Sequence, residues 1–193
     1  METSTHRIFQ FIPSELIADN KIIAVADDSS ATFGVLQARI HTDWAVSAGG
    51  WLGFGNDPVY VKGKIFDPFP FPDRSDAVAT IAERLDRARR TALAENPALT
   101  MTGLYNLVEE VRSNQPLTPA REGAVVKARA RIVAKLHDDL DAAVAAAYGW
   151  EWPLSPAEIV ARLVRLNAER AAEEAAGHVR WLRPDYQRPR FDA

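Results

Sequence analysis

No cysteine occurs among the 193 residues. That excludes a disulfide framework, thiolate catalysis and cysteine-based metal sites, and it fits a reducing cytoplasm. No apolar run approaches the ~20 residues needed to cross a bilayer. The opening residues, Met1-Glu2-Thr3-Ser4-Thr5-His6-Arg7, lack the basic and then apolar blocks of a signal peptide. A cytoplasmic protein without a membrane partner is therefore expected. A basic excess is missing as well: the formal net charge is -3. Residues 1–75 carry 6 Lys/Arg against 9 Asp/Glu, and residues 76–193 carry 17 of each. Phosphate neutralisation dominates nucleic-acid affinity, so the composition argues mildly against a chain that grips nucleic acid by itself. The content is 47% hydrophobic and 25% charged, which is that of an ordinary globular protein and does not force disorder. The length suits one domain or two small ones.

The local pattern changes along the chain. Arg7-Ile8-Phe9-Gln10-Phe11-Ile12 and Lys21-Ile22-Ile23-Ala24-Val25-Ala26 are short runs rich in β-branched and aromatic residues, which predicts two strands. Asp27-Asp28-Ser29-Ser30 supplies capping oxygens for a helix. Phe33, Leu36, Ile40 and Trp44 recur at spacings of three and four, predicting one helix that ends at Gly49-Gly50. Trp51 to Phe66 reads as irregular or extended, with turns at Asn56-Asp57-Pro58 and Gly63. In Asp67-Pro68-Phe69-Pro70-Phe71-Pro72 three alternating prolines remove backbone donors and hold the segment extended, so no helix runs through it. Four amphipathic helices are predicted beyond this strap: Ser75 to about Asn96, Thr102 to about Asn114, Arg121 to Tyr148, and Ser155 to about Ala176. The last opens on a capping box with proline at the first helical position, and Gly177 suits its C-cap. The remaining tail, from His178, is aromatic and basic. The expected fold is α+β, mostly α: a small mixed α/β N-terminal part, then a four-helix, bundle-like C-terminal part.

Motifs that would carry catalysis fail on their surroundings. Gly49-Gly50-Trp51-Leu52-Gly53-Phe54-Gly55 is glycine-rich, yet it follows a helix and precedes none, whereas a cofactor loop needs a strand before it and a helix amide end after it. Asn56-Asp57-Pro58-Val59-Tyr60 has a superficial likeness to the Asn-Pro-Pro-Tyr motif of amino-methyltransferases but lacks the proline pair. His137-Asp138-Asp139 sets an imidazole beside carboxylates, but consecutive helical residues point apart. A solvated helix face is therefore expected there, and no metal site. Arg84, Arg87, Arg89 and Arg90, and Lys127, Arg129, Arg131 and Lys135, are accompanied by acids and read as solvated, salt-bridged faces. The better candidates for nucleic-acid contact are His6, Arg7, Arg39, His41, Lys62 and Lys64, set among Trp51, Phe54 and Tyr60. Arg and Lys pair with guanine edges or phosphates.

Several strings, in fixed order, carry a resemblance. They are Thr5-His6-Arg7-Ile8-Phe9, then Thr32-Phe33-Gly34-Val35-Leu36 followed by Arg39, His41 and Trp44, then Trp51-Leu52-Gly53. The strap Phe66-Asp67-Pro68-Phe69-Pro70-Phe71-Pro72 and Leu104-Tyr105-Asn106 follow. The run from Leu140 to Trp150, ending Tyr148-Gly149-Trp150, leads to Ile159–Arg170 and to Val179-Arg180-Trp181-Leu182-Arg183-Pro184-Asp185-Tyr186-Gln187. Together they resemble the C-terminal end of MmeI-type and related single-chain restriction–modification DNA methyltransferases, over essentially the whole chain from residue 5.

The resemblance implies methyl transfer from S-adenosylmethionine to a DNA base, typically the adenine exocyclic amine, at a short asymmetric site. It implies a catalytic domain, a target-recognition domain and a helical extension, of which this chain would supply the end of the second and the third. The cofactor and Asn-Pro-Pro-Tyr motifs would lie upstream of Met1, so no cofactor is expected in this chain itself. Residues 1–66 are then expected to complete target recognition, 67–75 to form the strap, and 76–193 to form the helical domain. Arg7, Arg39, His41, Lys62 and Lys64 are the expected DNA contacts. The expected partners are double-stranded DNA and a methyltransferase catalytic domain, in cis or in trans. The alternative is a free-standing interaction or regulatory subunit of a restriction–modification system, or a self-associating protein. An independent enzyme ranks third, since no convergent acid, base, nucleophile or metal set is visible.

Overall fold

The computed structural model describes residues 6–19, 22–52 and 57–191. Its elements run α1 (Ser30–Gln37), α2 (Arg39–Ala48), β1 (Gly50–Leu52), β2 (Asp57–Val59), α3 (Lys62–Ile65), α4 (Asp76–Glu95) and α5 (Met101–Arg112). They continue with α6 (Pro119–Lys127), α7 (Ala130–Ala147), α8 (Pro156–Ala175) and α9 (Pro184–Phe191). Hydroxyl caps start several of them. Ser29, Ser75, Thr100 and Thr118 each accept a first-turn amide, and Ser155 with Glu158 completes the capping box expected for α8.

The mostly helical character is as expected, but the mixed α/β start is not. Among the described residues the only ladder is the short antiparallel pair β1–β2, with Gly50 opposite Val59 and Leu52 opposite Asp57. The described parts of 7–12 and 21–26 belong to no helix and no sheet. Side chains of the helices have taken the place of a neighbouring strand. The Phe9 amide donates to Gln37 Oε1 (3.0 Å), the Phe9 carbonyl accepts from Arg89 (3.1 Å), and the Arg7 carbonyl accepts from Gln37 Nε2 (3.3 Å). A β-prone segment needs its backbone groups paired, and it does not matter which groups pair them.

Two expected helices are each broken. The apolar stripe Phe33–Leu36–Ile40–Trp44 spans α1 and α2, but Ala38 between them is extended (φ -74°, ψ 154°). The break leaves the Arg39 amide without a helical acceptor, and the carboxylate of Asp141 on α7 receives it at 2.8 Å. The predicted helix Arg121–Tyr148 divides into α6 and α7 at Arg129, whose φ of 55° lies in the left-handed region. There Asn96 Nδ2 donates to the Lys127 carbonyl (3.1 Å), and the Arg129 guanidinium pairs with Glu95 (2.6 Å). In both places the acceptor or donor that tolerates the break comes from a distant helix.

One hydrophobic core takes in residues from both sides of the strap, including Phe33, Ile40 and Trp44 before it and Leu85, Leu104, Leu140, Ile159 and Leu163 after it. Helix α1 packs against α4, which packs against α7, with α5 and α6 also on α7, while α8 packs chiefly on α2. The strap is seated in this core through Phe69, which meets His41 edge-on at 4.9 Å between ring centres. Its exposed-side carbonyls find donors across the fold: Tyr148 Oη to Pro70 O (2.9 Å), Arg170 to Phe71 O (2.7 Å), and Asn167 Nδ2 to Pro68 O.

Close approach of α1 and α4 depends on Gly34. A methyl group there would stand 2.7 Å from Val78 Cγ1 and 3.0 Å from Ala82 Cβ. Gly→Ala inside a helix ordinarily gains up to ~1 kcal/mol. Here overpacking reverses the sign, and Gly34→Ala is expected to cost about 1–3 kcal/mol in urea unfolding. A neutral or stabilising result would show that the two helices do not meet in this register.

Candidate nucleic-acid interface

The expected contact residues fall into three settings. Lys62 and Lys64 sit on the single turn of α3, held in place by Ile65, which is fully buried and whose carbonyl accepts the Trp44 indole N–H at 2.9 Å. Both lysines are exposed. Lys62 bridges both oxygens of Asp67 (2.6 and 2.8 Å), while Lys64 makes no ion pair among the described residues. A rigid, buried anchor below two exposed ammonium groups suits phosphate contact.

Arg39 occupies a different place, at the start of α2. Its guanidinium lies over the Trp152 ring (5.2 Å) and 3.5 Å from Asp43, and it remains 40% exposed. The neighbouring Arg162 lies over Trp150, which stacks on Tyr148 at 4.4 Å. Cation–π contacts of this kind contribute ~0.5–1 kcal/mol at exposed sites and hold the planar guanidinium in one orientation.

Arg7 and His41 are gathered around Tyr60. The Arg7 guanidinium lies 6.0 Å from the Tyr60 ring centre, and its pKa is lowered, chiefly by burial. His41 is fully buried. Its Nδ1–H donates to the Leu36 carbonyl (3.0 Å), so Nε2 accepts the Tyr60 hydroxyl (3.0 Å). Burial holds this imidazole neutral, with a pKa pushed down to about 4, and Arg7 adds to the effect. With both nitrogens engaged and no exposed surface, His41 is a core group and presents nothing to a duplex. His6, also considered above, is buried too, its Nε2 2.7 Å from Asn106 Oδ1 and its Nδ1 3.2 Å from Glu109. Phe54 and the side chain of Trp51 lie outside the described residues.

The charged faces read from α4 and α7 need correction at two positions. Arg89 is fully buried, not solvated. Its Nη1 donates to Gln37 Oε1 (2.6 Å) and to the Tyr105 hydroxyl (3.1 Å), its Nη2 to the Phe9 carbonyl, and Asp86 lies 3.7 Å away. His137 is likewise buried and accepts the Tyr105 hydroxyl at 2.7 Å. Burial, then Arg112 and Arg89, push its pKa down to about 3. Asp138 and Asp139 do face outward as expected, pairing with Arg112 and Lys135. The signal for Arg89 was present: it continues the series Val78, Ala82, Leu85 and Ala92 on the buried face of α4. An arginine in that register is either buried or an error in the helix. Among the described residues no group of acidic and histidine side chains could hold a metal ion.

Comparison with known proteins adds little at the level of family. No family model matches the chain. Large ribosomal subunit protein uL10 of Chloroherpeton thalassium is 28% identical over 91 residues, 46% of this chain and 53% of that protein. The chain thus spans about half the length of that curated protein. Among solved structures, the type IIL restriction-modification enzyme MmeI in complex with DNA is 19% identical, covering 74% of this chain and 16% of that one, with a TM-score of 0.45. That likeness is coarse.

Two outcomes are expected from this site. Arg89→Met should cost about 3–5 kcal/mol, because Gln37, Tyr105 and the Phe9 carbonyl lose a buried donor together; an equilibrium unfolding change below ~1 kcal/mol would mean that Arg89 is solvated. Acid should also destabilise the fold. His41 and His137 protonate at about 6.5 when unfolded but stay neutral when folded, so the unfolded chain binds more protons below that pH. Burial raises Asp141 to about 6, which opposes them between about pH 4 and 6 by placing one proton on the folded chain. Burial also raises Asp43, which opposes the histidines further, and the two histidines are expected to leave a net loss of stability as pH falls through that window. His137→Gln, whose amide oxygen can accept the Tyr105 hydroxyl, should flatten the slope in urea titrations at pH 6 and pH 4.5.

Proposed function

We propose that this chain is the target-recognition and scaffold part of an S-adenosylmethionine-dependent DNA methyltransferase of adenine-N6 type, working with a catalytic domain in cis or in trans. The observation that carries the proposal is the ordered set of strings resembling the C-terminal end of MmeI-type enzymes. It is supported by where those strings lie. The strap, Tyr148, Asn167 and Arg170 belong to separate strings up to a hundred residues apart, and they meet as one hydrogen-bonded clamp. Shared structural constraint of this kind is a physical reason for such strings to occur together.

On this reading, Lys62 and Lys64 contact phosphate, and Arg39, oriented by Trp152, reads a base edge. Arg7 lies deeper and positions the loop through Tyr60. The methyl donor belongs to the catalytic domain, and helices α4–α8 brace the recognition loops. A second reading, an interaction or regulatory subunit of a restriction–modification system, is favoured by one feature. Phe11, Ile12, Leu16, Ile17 and Ile22 are exposed in the N-terminal segment, and most of them line a cavity of about 760 Å³ between that segment and α1. Apolar surface gathered in this way is a common mark of a partner site.

Selection from a pool of random duplexes tests the proposal. Enrichment of a short asymmetric sequence is expected. Lys62→Ala with Lys64→Ala should weaken binding to all sequences alike, whereas Arg39→Ala should relax preference at one position by about 1–3 kcal/mol. No enrichment, together with self-association in sedimentation that Ile17→Asp abolishes, would replace this reading with the second.

A further inference from the structure

We infer that the C-terminal segment from Arg180 through α9 is a phosphate-contacting arm for duplex DNA, separate from Lys62, Lys64 and Arg39; this rests on the recognition reading above. The first ground is charge that no carboxylate among the described residues pairs with. On the helices before it, most arginines are paired with a carboxylate, as Arg112, Arg121, Arg129 and Arg131 are with Asp138, Glu110, Glu95 and Glu122, although Arg84, Arg87 and Arg162 make no ion pair among the described residues. In the terminal segment Arg180 is so paired, with Glu173, and among the described residues no other cation of the segment is. Arg188 and Arg190 are exposed and make no ion pair among the described residues.

The second ground is order without neutralisation. Tyr186 is flanked by the Arg183 and Arg190 guanidinium groups, 4.4 and 3.7 Å from its ring centre. A ring fixes the plane of a guanidinium while leaving its edge N–H groups to donate elsewhere, and planar, bidentate donation is what phosphate accepts best. The third ground is attachment. Arg74 donates to the Leu182 carbonyl (3.1 Å) and Arg183 to the Ala26 carbonyl, so the segment is tied to the body of the fold at its start. The remaining cations are carried on a helix of eight residues.

This arm also answers the compositional objection to nucleic-acid binding. A chain of net charge -3 can still hold a polyanion if some of its cations stay exposed and unpaired, as Arg188 and Arg190 do among the described residues although Asp185 shares their helix.

The test is the salt dependence of duplex binding by the full chain, with the double variant Arg188→Ala, Arg190→Ala. Each lost phosphate contact removes ~0.9 from the slope of log affinity against log salt, so a fall of about 2 is expected, without change in the sequence selected. Arg188→Lys with Arg190→Lys should recover most of the slope. If the unaltered chain binds duplex and the double alanine variant keeps its full slope, this inference falls and the recognition reading stands; the cations then serve the negative end of the α9 dipole. If the unaltered chain shows no salt-dependent binding, both fall. Binding to phosphatidylserine vesicles in place of duplex would overturn the assignment to nucleic acid. Circular dichroism of the variants, matched to the unaltered chain, guards against loss of α9.

Discussion

The fold turns on one buried cation. The Arg89 guanidinium, with no exposed surface, joins the extended N-terminal segment through Phe9, α1 through Gln37 and α5 through Tyr105, and the Tyr105 hydroxyl passes the connection to His137 on α7. Withdrawing such a charge from water costs several kcal/mol, and the three hydrogen bonds from Nη1 and Nη2, with Asp86 at 3.7 Å, offset it while the Nε–H stays without a partner among the described residues. The network explains why the first β-prone segment, at 7–12, remains outside any sheet: a side-chain amide and a guanidinium already satisfy backbone groups of Arg7 and Phe9 that a strand partner would have paired. Burial keeps His137 neutral, and the nearby Arg112 and Arg89 charges add to that effect.

Around that centre the chain repeatedly trades helix continuity for long-range polar contacts. At Ala38 the apolar stripe changes helix without changing face, and Asp141 caps the new start. At Arg129 the turn is held by Glu95 and Asn96. At the strap, prolines give up backbone donors, and the carbonyls left behind are met by Tyr148, Asn167 and Arg170. Each device sets the angle between two packed elements, and each draws its partner from a helix far away in sequence. The candidate contact residues inherit this order. Arg39 is aimed by the Ala38 break, and the lysines of α3 rest on Ile65 and Trp44.

Charge is distributed by the same logic. Most surface arginines of the long helices are neutralised within the fold and serve stability. The lysines of α3, Arg39 at the start of α2 and Arg190 on α9 are held by a hydrophobic anchor or an aromatic ring and keep part of their donor capacity. A chain with a slight acidic excess thus retains discrete cationic places.

Much of this was legible in the residues alone. Periodicity of three and four placed α4, α5 and α8 nearly to their ends, because their apolar faces and caps are local properties of adjacent residues. The prolines marked the strap for the same reason. The strands at 7–12 and 21–26, the unbroken helices through 38 and 129, the solvated Arg89 and His137, and the accessible His41 did not survive folding. Each depended on a partner that sequence neighbours do not reveal: Gln37 for Phe9, Asp141 for Arg39, Tyr105 for His137 and Tyr60 for His41. By itself, then, the sequence determined the helices, their caps and their apolar faces, which are set by interactions within a few residues. Which polar groups are buried, and hence which cations stay free to act, was decided only by tertiary structure, because a buried charge survives only where distant side chains converge to satisfy it.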